Sequence, residues 1–136
     1  YFNVPLEEII TYTDSTVIRD IMNNLIHNSV KFTFYGSISV SLLADKDSYY
    51  INVKDTGIGI PSENLNEIFE EFRQVSEGYS RSFEGTGLGL AITKRYINLL
   101  NGNIELNSTV NKGTEFILSL PIKKKEECFV SWIKYK

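Results

Sequence analysis

The chain has 136 residues, 42% of them hydrophobic and 23% charged, with a formal net charge of -3. That size and balance fit one soluble globular domain able to bury an ordinary core, and the slight acidity disfavours a general nucleic-acid binder, which carries a basic excess or stripe. The single cysteine, Cys128, excludes an internal disulfide, and no apolar run approaches the length of a membrane span.

Residues 1–13 hold scattered β-formers and are expected to supply one irregular strand. Asp14 and Ser15 are helix-start signals. From Thr16 to Thr33 the pattern is helical: Ile18, Ile21, Met22, Leu25, Ser29 and Phe32 recur at spacings of three and four, as a core-facing stripe does. Asp20, Asn24, Asn28 and Lys31 share another face of the same helix. Tyr35-Gly36 marks a turn, then Ser37–Leu43 alternates as a strand does. Asp45–Asp47 turns the chain into a second strand at Tyr49–Val53, giving a hairpin. Asp55–Pro61 (DTGIGIP) is a loop, punctuated by two glycines and a proline. Glu63–Phe72 is expected to form a short helix, and residues 73–84 lack apolar periodicity and are expected to form a mobile loop. Thr86–Leu100 is helical and closes near Asn101-Gly102. Asn103–Asn107 and Thr114–Leu120 read as strands joined by a turn through Asn111–Gly113. The tail 122–136 carries KKKEE near its start and is expected to be exposed, which divides the chain into a domain of residues 1–121 and a tail of residues 122–136. This order of elements predicts an α+β domain with helices packed on one face of a mixed, mostly antiparallel sheet.

Three segments carry chemistry. Asn24 and Asn28, one turn apart, offer amide oxygens of the kind Mg²⁺ accepts, and Lys31 follows on the same face. The same pattern also suits a solvated helix face. Asp55, directly after a strand and followed by Gly57 and Gly59, suits hydrogen bonding to the exocyclic amine of adenine, with the backbone approaching a flat ring. It equally suits an aspartate that caps a tight turn. Gly85-Thr86-Gly87-Leu88-Gly89-Leu90 leads into a helix, where backbone N–H groups cradle phosphate; a glycine hinge is the alternative. This run is neither a P-loop, because no Gly-Lys-Ser/Thr follows, nor a dinucleotide fingerprint, because no strand leads into it.

Taken in order, these segments resemble the ATP-binding catalytic domain of sensor histidine kinases, in the Bergerat-fold (GHKL) superfamily with gyrase-type ATPases, MutL and Hsp90. Asn24–Asn28 within NNLIHNSVKFT is similar to the N box, DTGIGIP to the G1 box and Phe69-Glu70-Glu71-Phe72 to the F box. GTGLGLAI is similar to the G2 box, and Lys112-Gly113-Thr114-Glu115-Phe116 to the short box before the last strand. The resemblance covers residues 14–121 and implies a two-layer α/β sandwich that binds ATP and Mg²⁺. It implies Asn28 as the Mg²⁺ ligand, Asn24 in support of metal and phosphates, Lys31 on phosphate and Phe32 beside adenine. Asp55 would accept from the adenine amine, helped by a water and Thr114, with Gly57 and Gly59 giving the ring room. Gly85, Thr86, Gly87, Leu88 and Gly89 would meet the phosphates. Residues 73–84 would be the ATP lid, with Arg81 the first and Arg73 the second choice to reach the γ-phosphate, and Phe69 and Phe72 would anchor its base.

The resemblance also implies the reaction. Hydrolytic members carry Glu at the place of Asn24, and an amide is no general base near neutral pH. The γ-phosphoryl group would then be kept for a histidine on a separate dimerisation domain, by positioning and charge neutralisation. His27, the sole histidine, is followed by Asn28 and lacks the H-E/D-x-R setting of an acceptor, so it is read as an incidental helix residue. A homodimeric parent is implied, with a response regulator as indirect partner, a monomeric fragment allowed and no nucleic acid. The opening at Tyr1, the absence of a signal-peptide pattern and the lone cysteine fit a cytoplasmic fragment whose parent is free to carry a membrane anchor. Departures from the family pattern are Asp20, His27, Glu71 for the F-box proline and Glu84 for a glycine. The rival readings are a Bergerat-fold ATPase or serine kinase, and a nucleotide-sensing module without catalysis.

Overall fold

The computed structural model describes residues 2–3, 8–70 and 87–124. Its elements are β1 (Phe2–Asn3), α1 (Ser15–Phe32), β2 (Ile38–Ala44), β3 (Ser48–Asp55), a 3₁₀ turn (Ser62–Asn64), α2 (Gly89–Leu99), β4 (Asn103–Thr109) and β5 (Gly113–Pro121). The strands form one sheet in the order β1-β2-β3-β5-β4. Among the described residues, β1 runs parallel to β2 and the other three pairs are antiparallel. Both helices pack on one face of the sheet, as the periodicities predict.

Helix α1 starts where Asp14 caps it, its carboxylate accepting from the backbone of Thr16 at 2.9 Å and Val17 at 3.2 Å. Its predicted stripe faces inward, with Ile21, Leu25 and Ser29 buried. Helix α2 ends at Asn101, whose φ of 60° is the left-handed conformation that closes a helix, and Gly102 N then donates to Ile97 O at 2.9 Å. Gly102 lacks a Cβ for a local reason: one would meet Leu120 Cδ2 and Ser119 O.

Strand alternation places Ile51 and Val53, then Leu118 and Phe116, then Ile104 and Leu106, side by side on the helix-facing side. With Leu25 and Ile97 from the two helices they form the core. Burying residues of this kind stabilises a fold by about 1.5–3 kcal/mol each.

Two expectations change. Residues 63–70 do not form an α-helix: after the extended Pro61, tight bonds run from Asn64 N to Pro61 O and from Leu65 N to Ser62 O, and turns follow. Only Ile68 of this stretch is fully buried, so too little apolar surface faces the core to hold several helical turns. The start of the expected tail is tied down. Ile122 N donates to Asp47 O at 2.8 Å, Lys123 N donates to Thr11 Oγ1 at 3.0 Å, and Ile122 packs on the core.

Candidate nucleotide site

One row across the sheet changes the character of its helix-facing side. Val40, Val53, Phe116 and Leu106 are aligned across β2, β3, β5 and β4. Two residues further toward the end of the sheet the same row reads Ile38, Asp55, Thr114 and Ser108, because Ile38 pairs with Asp55 and Ser108 with Thr114. Asp55 is only 5% exposed. A carboxylate this buried needs partners, and Asp55 Oδ1 accepts from Gly57 N at 2.9 Å and Thr114 N at 3.2 Å. Asp55 therefore does cap its turn, yet both bonds fall on one oxygen, leaving Oδ2 able to accept from a ligand.

Behind Asp55 the glycine loop is wedged between two elements. Ile58 N donates to Phe32 O at 3.1 Å, and Ile58 O accepts from Asn111 N at 2.7 Å. A Cβ on Gly57 would meet the Phe32 carbonyl, and one on Gly59, whose φ is 70°, would meet the Thr109 carbonyl. Both glycines thus answer to backbone packing of the protein itself, a reason separate from the ring space expected of them.

At the other end of the site, α1 meets the start of α2. Asn24 Nδ2 donates to Thr93 Oγ1 at 2.6 Å, and its Oδ1 lies so close to Gly89 that a Cβ there would clash. Gly87 has a φ of 69° and Leu88 is the N-cap of α2. The first N–H groups of such a helix lack intrahelical acceptors and present partial positive charge. Asn24, Asn28 and Phe32 follow one another at four-residue steps, about 6 Å apart along the helix axis. Asn28 thus lies between the α2 end and the Asp55 end. Asn24, Asn28 and Lys31 are half-buried while Asp20 is exposed, so this face is more enclosed than a plain solvated one. The Lys31 ammonium sits 5.1 Å from the Phe32 ring centre. Phe69 packs on the core with the Lys94 ammonium 5.1 Å from its ring centre. Glu71, Phe72, Arg73, Gly78, Arg81, Glu84, Gly85 and Thr86 lie outside the described residues.

A groove of about 850 Å³ runs between α1 and α2, lined by Asp20, Asn24, His27, Val30, Ile92 and Tyr96 among others. It brings Asn24 and Gly89 together, but Asn28, Asp55 and Gly87 do not line it. His27 is exposed at this groove.

Two site residues escaped the sequence. Thr93 sits on the buried stripe of α2 with Ala91 and Ile97, where a hydroxyl among apolar neighbours is a signal. Ser108 continues the inward alternation of Ile104 and Leu106, and its polarity at that position is the signal.

Comparison with known proteins identifies the family and the fold. The family model of histidine kinase-, DNA gyrase B- and HSP90-like ATPases matches residues 13–124. Sensor histidine kinase RcsC of Escherichia coli (strain K12) is 38% identical over 109 residues, covering 80% of this chain and 12% of RcsC. The autoinducer 2 sensor kinase/phosphatase LuxQ of Vibrio vulnificus (strain CMCP6) is 42% identical over 121 residues, covering 85% of this chain and 14% of LuxQ. The chain thus spans a small part of the length of these relatives. The crystal structure of full-length ShkA in complex with AMPPNP superposes with a TM-score of 0.79 at 28% identity, covering 90% of this chain and 25% of that one. The chain belongs to the histidine kinase-, DNA gyrase B- and HSP90-like ATPase family, as an ATP-binding catalytic domain of the sensor histidine kinase type.

Proposed function

We propose that the chain binds MgATP between Asp55 and the start of α2 and hands the γ-phosphoryl group to a histidine on a separate dimerisation domain. The observation that carries this reading is the environment of Asp55: a carboxylate 5% exposed, held by two backbone N–H groups, at the end of an otherwise apolar sheet face. A carboxylate oxygen held in place this way is suited to accept from the amine of adenine. Gly87, Leu88 and Gly89 turn the chain into α2, whose free N–H groups suit the phosphates. Gly85, Thr86 and Arg81 complete that end in this proposal.

The residues present fit a nucleotide-borne Mg²⁺. Among the described residues no group of three His, Cys, Asp or Glu could cage a metal, and a half-buried amide oxygen such as that of Asn28 suits an ion that draws its remaining ligands from phosphate and water. Bound there, Mg²⁺ would neutralise charge on the triphosphate. Lys31 would add a cation on the same face.

Phosphoryl transfer, and not hydrolysis, is favoured by Asn24. An amide has no lone pair that titrates in the physiological range, and this one is already braced against Thr93. The groove beside Asn24, with Val30 60% and Ile92 42% exposed, offers the acceptor domain an apolar surface next to the phosphates. On this reading the acceptor domain dimerises, a response regulator receives the group afterwards, and the reaction takes place in the cytoplasm.

The test mixes the chain with the phosphoacceptor domain of its own parent, Mg²⁺ and γ-labelled ATP. Label should appear on the acceptor as acid-labile phosphohistidine and be absent when the acceptor histidine is replaced. Steady release of inorganic phosphate without any acceptor would assign the chain to the ATPases instead.

A further inference from the structure

Ser108 belongs to none of the recognised segments, yet its hydroxyl touches three partners at the Asp55 end of the sheet. Ser108 Oγ lies 2.8 Å from Ile60 N, 3.0 Å from Gly113 O and 2.9 Å from Thr114 Oγ1. A serine hydroxyl has one proton and two lone pairs, so these three contacts use it completely. The Ile60 N–H fills one lone pair. The serine proton goes to the Gly113 carbonyl, which can only accept. The second lone pair is left for Thr114, whose own proton must fill it. Thr114 thereby spends its one donor on Ser108 and turns only lone pairs elsewhere.

We propose that Ser108 is a positioning residue for base recognition: by taking the Thr114 proton it makes the Asp55 end of the site acceptor-only, so that the site favours a purine with an amine at position 6 over one with an oxygen there. This rests on the nucleotide reading above. Asp55 is an acceptor by its charge and Thr114 becomes one through Ser108. A 6-oxo purine would aim its oxygen at these lone pairs and find no donor. A buried polar group left unpaired is what gives such sites their discrimination. Ser108 itself need not touch the base.

The experiment measures the Kd of the 136-residue chain for ATP and for ITP, which carries hypoxanthine, alongside the thermal unfolding temperature. The unaltered chain should prefer ATP. In Ser108→Ala the Thr114 proton is released to face a 6-oxo group, and the ATP-to-ITP preference should narrow by about five- to tenfold. Ser108→Thr keeps the hydroxyl and should restore the preference. Equal weakening of both nucleotides in Ser108→Ala, with the ratio unchanged, would reduce Ser108 to a structural support and overturn the proposal. Should Ser108→Ala not fold, Ser108→Cys serves: its weak S–H should narrow the ratio in the same direction, and an unchanged ratio overturns the idea. In a Thr114→Val background the ratio should no longer respond to Ser108; a response there also overturns it. If the unaltered chain binds neither nucleotide, the nucleotide reading fails and this proposal with it. If it binds ATP selectively but the ratio ignores Ser108, this proposal fails alone.

Discussion

The amide of Asn24 donates a 2.6 Å hydrogen bond to the hydroxyl of Thr93, joining α1 to α2 across 69 residues of sequence. Thr93 is 1% exposed, so this contact between the helices is shielded from water on one side. Replacing it with the isosteric Val leaves the Asn24 amide without that acceptor. Thr93→Val should destabilise the domain by about 1–2 kcal/mol, and a double-mutant cycle with Asn24→Ala should return a coupling of about 0.5–1.5 kcal/mol. Urea denaturation of the four proteins measures both. Strict additivity would mean that the bond contributes nothing.

Gly113 opens β5 with a φ of 108°, and a Cβ there would lie 1.9 Å from the carbonyl oxygen of Asp55. Neither partner of that clash is a flexible side chain. Gly113→Ala should therefore lose about 2 kcal/mol or more of stability. Any folded fraction should bind ATP more weakly, because the peptide carrying Asp55 must move. Circular dichroism and nucleotide titration on one sample would check the two effects together.

Asp55→Asn separates recognition from folding. The Asn side-chain oxygen can still accept from Gly57 N and Thr114 N, so the unfolding midpoint should change little. Its amide then faces the adenine amine, donor against donor, and ATP affinity should fall about ten- to a hundredfold. Calorimetric titration reads the loss, and an unchanged Kd would remove Asp55 from the site.

Among the described residues, two carboxylates are held below their usual values and so contribute to the acid limb of stability. Asp45 is held below its usual value first by the backbone N–H groups of Asp47 and Ser48 and then by the Tyr50 hydroxyl. Glu115 is held down chiefly by the amide of Asn52, with Lys54 adding to the effect. A carboxyl whose folded pKa is lowered binds protons more readily in the unfolded chain. Its contribution is complete at neutral pH, begins to fall in the ordinary carboxylate range and is gone below the folded value. The melting temperature should be flat near neutrality and drop as the pH falls through and below the ordinary carboxylate range, and Asp45→Asn with Glu115→Gln should make that drop shallower. Both groups are solvent-accessible, so the slope should also diminish in high salt.

Much of this architecture is legible from local pattern. The α1 stripe, the Asp14 cap, the β2–β3 hairpin and the turn at Asn111–Gly113 all follow from spacing and turn chemistry. The helix expected at Glu63–Phe72 gives way to tight turns over residues 63–70, because Pro61 enters extended and only Ile68 and Phe69 of that stretch reach the core. Asp55, Asn24 and Asn28 stand out as candidates because their residue types carry chemistry in a recognisable order. Thr93 and Ser108 were not, because each acquires meaning only from a partner on another element. The reason for Gly57 and Gly59 is hidden in the same way, since the carbonyls they clear belong to Phe32 and Thr109.

Ile58 has a consequence for how the domain can respond to a ligand. This one residue's nitrogen is fastened to the end of α1 and its carbonyl to the tip of the β4–β5 hairpin, so this corner behaves like a rivet through three plates. Nothing there can swing aside to admit a base of another shape without unfastening both neighbours. On the proposed reading, the purine end should keep a nearly identical backbone before and after loading, with adjustment taken up at the opposite end of α1, toward the phosphates.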